Sequence, residues 1–342
     1  MTAQKMEKYL WDLPAQFEES LEINIELPQS YHRSYSNVIV TGLGGSAIGG
    51  DILRIYSMQK VAMPVLVNRD YTMPAFVGPD TLVLAVSYSG NTEETLSAYE
   101  DAKAKGAQII VVSSGGTLSE WACRDGYPVL TVPGGLVPRA ATGYLFVPLG
   151  LIFENLGLLQ GVREDIKSTV KVLEELRADI EPGVESATNA AKRIAQEMKD
   201  RIPVIWGSSS RTDIAALRWK AQINENAKAP AFYNIFPELD HNEIVGFQVP
   251  QEVVSKFVVV MLVDPEDHPR IKHRMEITKQ VIQDQVYNVL EIEPRGDSFL
   301  SNFYSLVYVG DYVSYYLALE YGINPTPVET IDHLKAELAK RP

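Results

Sequence analysis

The sequence predicts an α/β protein built from two doubly wound, Rossmann-like parallel-sheet domains. Three observations carry that expectation. Short β-branched runs alternate with helix-compatible stretches; a strand near the start runs into a glycine-rich loop and a helix; and a second strand, small-residue loop and helix begin near the middle of the chain. Alternation of this kind implies parallel sheets covered on both faces. The 342 residues are about twice a usual ~150-residue domain, so two units are expected, over residues 1–155 and 156–342.

In chain order, residues 37–41 form the first strand and end in a glycine loop that reaches Gly50, with a helix expected over 51–58. Residues 64–67 and 81–86 read as strands. The second of these runs into Ser87–Thr92, a helix over 93–106 and a strand over 108–112. A polar amphipathic stretch over 164–199 reads as one or two helices. Residues 203–212 then repeat the strand-and-loop pattern, followed by a helix over 213–228, a strand over 256–263, a helix over 271–286 and a strand over 287–292.

Composition excludes several classes. With 46% hydrophobic and 22% charged residues the chain is an ordinary globular sequence, and its net charge of −13 opposes binding to nucleic acid or to an anionic membrane. The one cysteine, Cys123, cannot form an intrachain disulfide or a thiolate zinc cluster, which fits a reducing cytoplasm; the thiol itself reads as core. No signal peptide opens the sequence, and the weakly charged stretch 140–153 is too short to cross a bilayer of about 30 Å. Of the five histidines, His268 and His273 stand among Arg270, Lys272 and Arg274, whose charges oppose a metal cation, so no metal site is expected.

Gly42-Leu43-Gly44-Gly45-Ser46-Ala47 formally satisfies the dinucleotide pattern G-x-G-x-x-G/A. The acidic residue that an NAD site wants at the end of the second strand is absent, although Arg69 there leaves an NADP reading open. A Walker loop is excluded because no Gly-Lys-Ser/Thr follows. The stronger signal is Ser87-Tyr88-Ser89-Gly90-Asn91-Thr92, which packs three hydroxyls around a glycine where a strand ends and a helix begins. Hydroxyls and free helix N–H groups can donate to one phosphate dianion, with Ser87, Ser89 and Thr92 as its ligands. A plain helix N-cap is the competing reading.

With both loops in view the chain resembles the sugar isomerase (SIS) fold, through Gly44-Gly45-Ser46 and Ser87-Tyr-Ser-Gly-Asn-Thr-Glu-Glu94. Together with Asn224-Glu-Asn-Ala-Lys228, Leu239-Asp-His-Asn-Glu-Ile-Val-Gly-Phe247 and a terminal Ile331-Asp-His-Leu-Lys335, it resembles the bifunctional phosphoglucose/phosphomannose isomerase family over nearly its whole length. That resemblance implies two SIS domains, a homodimer, and interconversion of glucose 6-phosphate or mannose 6-phosphate with fructose 6-phosphate without metal or organic cofactor.

Moving a proton between C1 and C2 through an enediolate needs one base that reaches both carbons, and a carboxylate suits the task. The resemblance assigns that role to Glu225. It implies that His241, supplied by a partner subunit, and Lys335 help open the sugar ring, and that Arg139 steadies the enediolate. Gly44, Gly45 and Ser46 join the phosphate site. The family's small hydroxyl residue that makes room for mannose could be Thr326 or Thr330. A non-catalytic sugar-phosphate-binding regulator would need the two loops but not Glu225, His241 and Lys335.

Overall fold

The computed structural model describes residues 3–341. By compactness the chain divides into two units, and the division is not a single cut: one unit holds Asp12–Leu176 with Pro294–Ser305, the other holds the chain up to Trp11, Arg177–Glu293 and everything from Leu306. Side-chain contacts account for the two transposed segments. Tyr308 and Tyr315 donate their hydroxyls to Leu10 O (2.8 Å) and Glu7 (3.0 Å), tying the first helix, Ala3–Trp11, into the second unit. Tyr304 packs edge-on against Phe17 at 4.7 Å, tying 294–305 into the first.

The first unit carries a five-stranded, all-parallel sheet of β1 (Asn37–Thr41), β2 (Val65–Asn68), β3 (Thr81–Ser87), β4 (Gln108–Ser113) and β5 (Val129–Thr131), in the order β2-β1-β3-β4-β5. Strand β3 is buried along its whole length, the continuous apolar run expected of a parallel strand covered on both faces. Ile39, Val83, Ala85, Ile109 and Val111 pack with Ala98, Tyr99 and Ala102 of helix Glu93–Ala104 and with Leu118 and Ala122 of helix Gly116–Asp125. Cys123 lies next to that buried face but points away from it, and its thiol is exposed, not core.

A helix expected to begin at residue 51 begins at Gly45 and runs to Ser57. Glycine is a poor helix former, so the local signal favoured a loop. Packing reverses it: a Cβ at Gly49 would meet Leu145 O at 2.4 Å, and one at Gly50 would meet Val40 at 2.7 Å, so only glycines let this helix lie so close to its neighbours.

The second unit carries a four-stranded parallel sheet of β6 (Ile202–Ser208), β7 (Phe232–Phe236), β8 (Phe257–Leu262) and β9 (Asn288–Ile292), in the order β7-β6-β8-β9. Trp206, Phe236, Leu239, Phe247, Met261 and Met275 form the core on one face. The stretch read as one or two helices is two, Val162–Ile180 and Ala190–Met198. Among the described residues no helix is long and apolar enough to cross a membrane.

Candidate active site

In an open parallel sheet, ligands gather beyond the carboxyl ends of the strands where the strand order reverses. In the first sheet that point lies between β1 and β3, which pair in register from Asn37↔Thr81 to Thr41↔Ala85. The glycine loop leaves the end of β1 and the Ser87–Thr92 loop leaves the end of β3, so topology alone sets them side by side. Their contact is direct: Tyr88 N donates to Ser46 Oγ at 3.1 Å.

Thr92 occupies the N-cap position of helix Glu93–Ala104, yet its side chain makes no capping bond. Its hydroxyl lies 3.0 Å from that of Ser87 instead, and Ser87 Oγ also accepts from Gly90 N at 3.1 Å. The hydroxyl pair therefore stands at the positive end of a twelve-residue helix rather than closing it. Ser89 is exposed, and its Oγ accepts from Asn91 N at 3.3 Å. The turn is held from behind by the loop after β4. A Cβ at Gly90 would overlap Gly115 O, and Asn91 Oδ1 accepts from Thr117 N at 3.1 Å.

Arg139 is buried on a short 3-10 turn, Pro138–Ala140, that lies flush against the glycine loop: a Cβ at Gly45 would sit 2.6 Å from Pro138 O and 3.2 Å from Arg139 N. Gly44, at φ +54°, takes a backbone conformation that favours glycine and ends this loop before helix Gly45–Ser57. The structure thus brings together Gly44, Gly45, Ser46, Ser87, Ser89, Thr92 and the turn of Arg139. Arg69, the residue that left an NADP site open, is ion-paired to Asp51. Burial raises the Asp51 carboxyl above the usual range, with Arg69 and then Arg54 pulling the other way.

Glu225, His241 and Lys335 belong to the second unit. Helix Asp213–Gln222 does not continue to residue 228 as expected; it widens into a π-helical turn, Ile223–Ala227, with half-buried Glu225 at its centre. Such turns recur at functional sites because the extra residue re-aims a side chain. Three side chains one helical turn apart pin the segment to the Leu306–Glu320 part of the last long helix. Arg218 makes a two-pronged pair with Asp311 at 3.1 and 2.6 Å, Gln222 donates to Asp311 at 2.8 Å, and Asn226 donates to Ser314 Oγ at 2.9 Å. Glu225 is thus carried on a braced turn.

Beside that turn opens a cavity of about 550 Å³, lined on one side by Asn224, Glu225 and Lys228 and on the other by residues from Ile323 to Ile331. Thr330 is among the lining residues and Thr326 is not. Lys335 is exposed on helix Glu329–Leu338, whose first turn belongs to the cavity wall. His241 is exposed at the end of a 3-10 turn, Glu238–His241, beyond the carboxyl end of β7. Its neighbours hold that turn: Asp240 accepts from Arg274 and Thr278, both at 2.9 Å, and Glu243 accepts from Trp206 Nε1 at 2.8 Å. Glu225 precedes β7 and His241 follows it, so in one chain they stand at opposite ends of a five-residue strand, roughly 15 Å long.

His268 caps its own helix, accepting from Arg270 N at 3.1 Å, and His273 faces Glu276 at 3.5 Å. Two site features escaped the sequence. Tyr88, an unassigned position between two serines, donates to Pro133 O (2.8 Å) and accepts from Leu136 N (3.1 Å), linking the hydroxyl loop to the strand of chain that leads to Arg139. The second is the wall at 323–331 outside Thr326, Thr330 and Ile331, whose remaining residues carry no motif.

A doubled parallel α/β chain whose first reversal point presents two loops of glycine and hydroxyl residues defines an SIS-type protein. An SIS domain profile matches residues 33–122, and a profile described as the bacterial phospho-glucose isomerase C-terminal SIS domain matches 187–338. The chain is 50% identical to a bifunctional phosphoglucose/phosphomannose isomerase of Caldicellulosiruptor bescii, over 97% of this chain and 98% of that protein. It is 38% identical to one of Aquifex aeolicus, over 90% and 91%. Among solved structures it is similar to the tagatose-6-phosphate ketose/aldose isomerase of Escherichia coli (TM-score 0.70, 17% identity, 95% of each chain covered). It is also similar to the C-terminal domain of the glucosamine-fructose-6-phosphate aminotransferase of Francisella tularensis (TM-score 0.71, 14% identity, 94% of this chain and 98% of that one). The chain belongs to the bifunctional phosphoglucose/phosphomannose isomerase family.

Proposed function

We propose that this protein is an aldose–ketose isomerase that interconverts glucose 6-phosphate and mannose 6-phosphate with fructose 6-phosphate. Kinship at 50% identity supports the reaction. The observation that carries the residue assignment is the placement of Glu225 on a braced π-helical turn at the edge of a sugar-sized cavity.

In this reading the substrate phosphate is bound by Ser46, Ser87, Ser89 and Thr92, with Gly44 and Gly45 letting the backbone approach, and by the free N–H groups at the start of helix Glu93–Ala104. Lys335 and His241 donate and accept protons as the ring opens. Glu225 then takes the proton from C2 of the aldose and returns it to C1, and Arg139 balances the charge of the cis-enediolate. Thr330, on the cavity wall with Glu225, is the residue that admits the mannose epimer.

The reading includes a homodimer. The opposite placement of Glu225 and His241 about β7 supports a site in which His241 comes from the partner subunit. Hexose phosphates are cytoplasmic metabolites, and the protein is assigned to that compartment.

The test is a coupled assay on EDTA-treated protein that follows fructose 6-phosphate formation from each aldose separately. Turnover of both is expected. Binding of sugar phosphate without turnover would make the chain a regulator and remove the catalytic roles.

A further inference from the structure

Lys228 stands between the two walls of the Glu225 cavity. Its ammonium donates to the backbone carbonyl of Glu225 on one side and to Pro327 O, at 2.7 Å, on the other. Glu225, Pro327 and Lys228 all line the cavity. The backbone at Lys228 adds a second, independent observation. It sits in the left-handed region at φ 56°, ψ 21°, where an L-residue with a side chain is strained and glycine is at ease. The side chain carried at this strained position is the one that makes both bonds.

The two bonds join the two walls of the cavity. The turn of Glu225 is fixed from behind, through Arg218, Gln222 and Asn226 on Asp311 and Ser314. The opposite wall, Ile323–Ile331, follows the end of the last long helix and leads into helix Glu329–Leu338, which buries none of its residues. Pro325 is the one residue of 323–331 that is buried, and the helix that follows adds no buried side chain to hold the segment in register with the turn. A compact, three-donor ammonium between two carbonyls supplies the register.

We infer that Lys228 is a positioning residue that clamps the 323–331 segment to the Glu225 turn, and so sets the distance from the base to the helix bearing Lys335. The inference rests on Glu225 being the base. It places Lys228 off the reacting atoms: the ammonium acts through two carbonyls, not through the sugar.

The test compares Lys228→Met, Lys228→Arg and Lys228→Gly with the wild type, and runs Glu225→Gln alongside. Lys228→Met keeps the stem and removes the donors. It should lower kcat about tenfold, since small displacements of a reacting group cost that much or more, while KM for fructose 6-phosphate stays within about twofold. Amide hydrogen exchange over 323–331 should quicken by about tenfold, with the exchange of β6 and β8 unchanged. Lys228→Arg, whose fork can reach both carbonyls, should recover most of the rate. Lys228→Gly relieves the backbone but lacks the donors, and should behave as the Met variant does. Wild-type kcat in Lys228→Met, a fall in kcat without faster exchange, or full activity in Lys228→Gly would each overturn the clamp. If Glu225→Gln turns over normally, the base assignment fails on its own, while the exchange rates in Lys228→Met still decide whether the clamp exists.

Discussion

The hydroxyl oxygens of Ser87 and Thr92 lie 3.0 Å apart at the positive end of helix Glu93–Ala104, and neither closes that helix with a capping bond. A threonine at an N-cap ordinarily spends its hydroxyl on the first-turn N–H groups. Here the hydroxyls face each other, and the side-chain cap to those N–H groups is not made.

Removing the pair tests that arrangement. Ser87→Ala with Thr92→Val deletes two donors to a charged group, each worth roughly 1.5–3 kcal/mol. KM for fructose 6-phosphate and the inhibition constant for inorganic phosphate should rise together by at least about tenfold, with kcat little changed. An unaltered inhibition constant for phosphate would remove these hydroxyls from the site.

Glu225→Gln keeps the shape of the side chain and abolishes its basicity. In steady-state assays kcat should fall by about 10² or more, the usual range for a general base, with fructose 6-phosphate binding preserved in calorimetry. Turnover within a few-fold of the wild type would require another base.

Mixing two inactive variants tests whether His241 crosses between subunits. In a hybrid of His241→Ala with Glu225→Gln, one site combines an intact Glu225 with the other subunit's intact histidine, and the second site lacks both. Random exchange of two such dimers should restore about a quarter of wild-type activity. No recovery, with hybrid dimers demonstrated by native mass spectrometry, would place both residues in one subunit's site.

Asp311→Ala tests the brace behind Glu225. Arg218 and Asp311 are each 3% exposed, so the variant strands a buried guanidinium, at a cost of about 3–5 kcal/mol. Urea unfolding should report that loss. A change below about 1 kcal/mol would mean that the pair contributes little to holding the turn.

Much of the fold was legible because its signals are local. Strands β1, β3, β4 and β8 are β-branched runs, and each lies within a residue or two of its expected bounds; β6 falls inside the stretch read as strand and loop. Strand β7, Phe-Tyr-Asn-Ile-Phe, was missed because it has no clean alternation or flanking glycine and becomes a strand by pairing with β6. Helices Thr142–Asn155 and Phe299–Glu320 were missed for a related reason: apolar on nearly all sides, they show no helical period to read.

The sequence by itself determined the alternating α/β plan, the acidic charge and the two loops of glycine and hydroxyl residues, since each is written in the order and type of neighbouring residues, while Glu225, His241 and Lys335 were singled out through the family resemblance. Tertiary structure decided what neighbours in sequence cannot specify. It starts a helix at Gly45 because a neighbouring backbone leaves no room for a side chain, turns the hydroxyl of Thr92 toward Ser87 instead of its own helix, and widens the turn at Glu225 as Asn226 reaches Ser314. At Gly45 and at Asn226 a contact between residues far apart in the chain outweighs a local preference of about 1 kcal/mol, and at Thr92 a hydroxyl five residues away outweighs the cap.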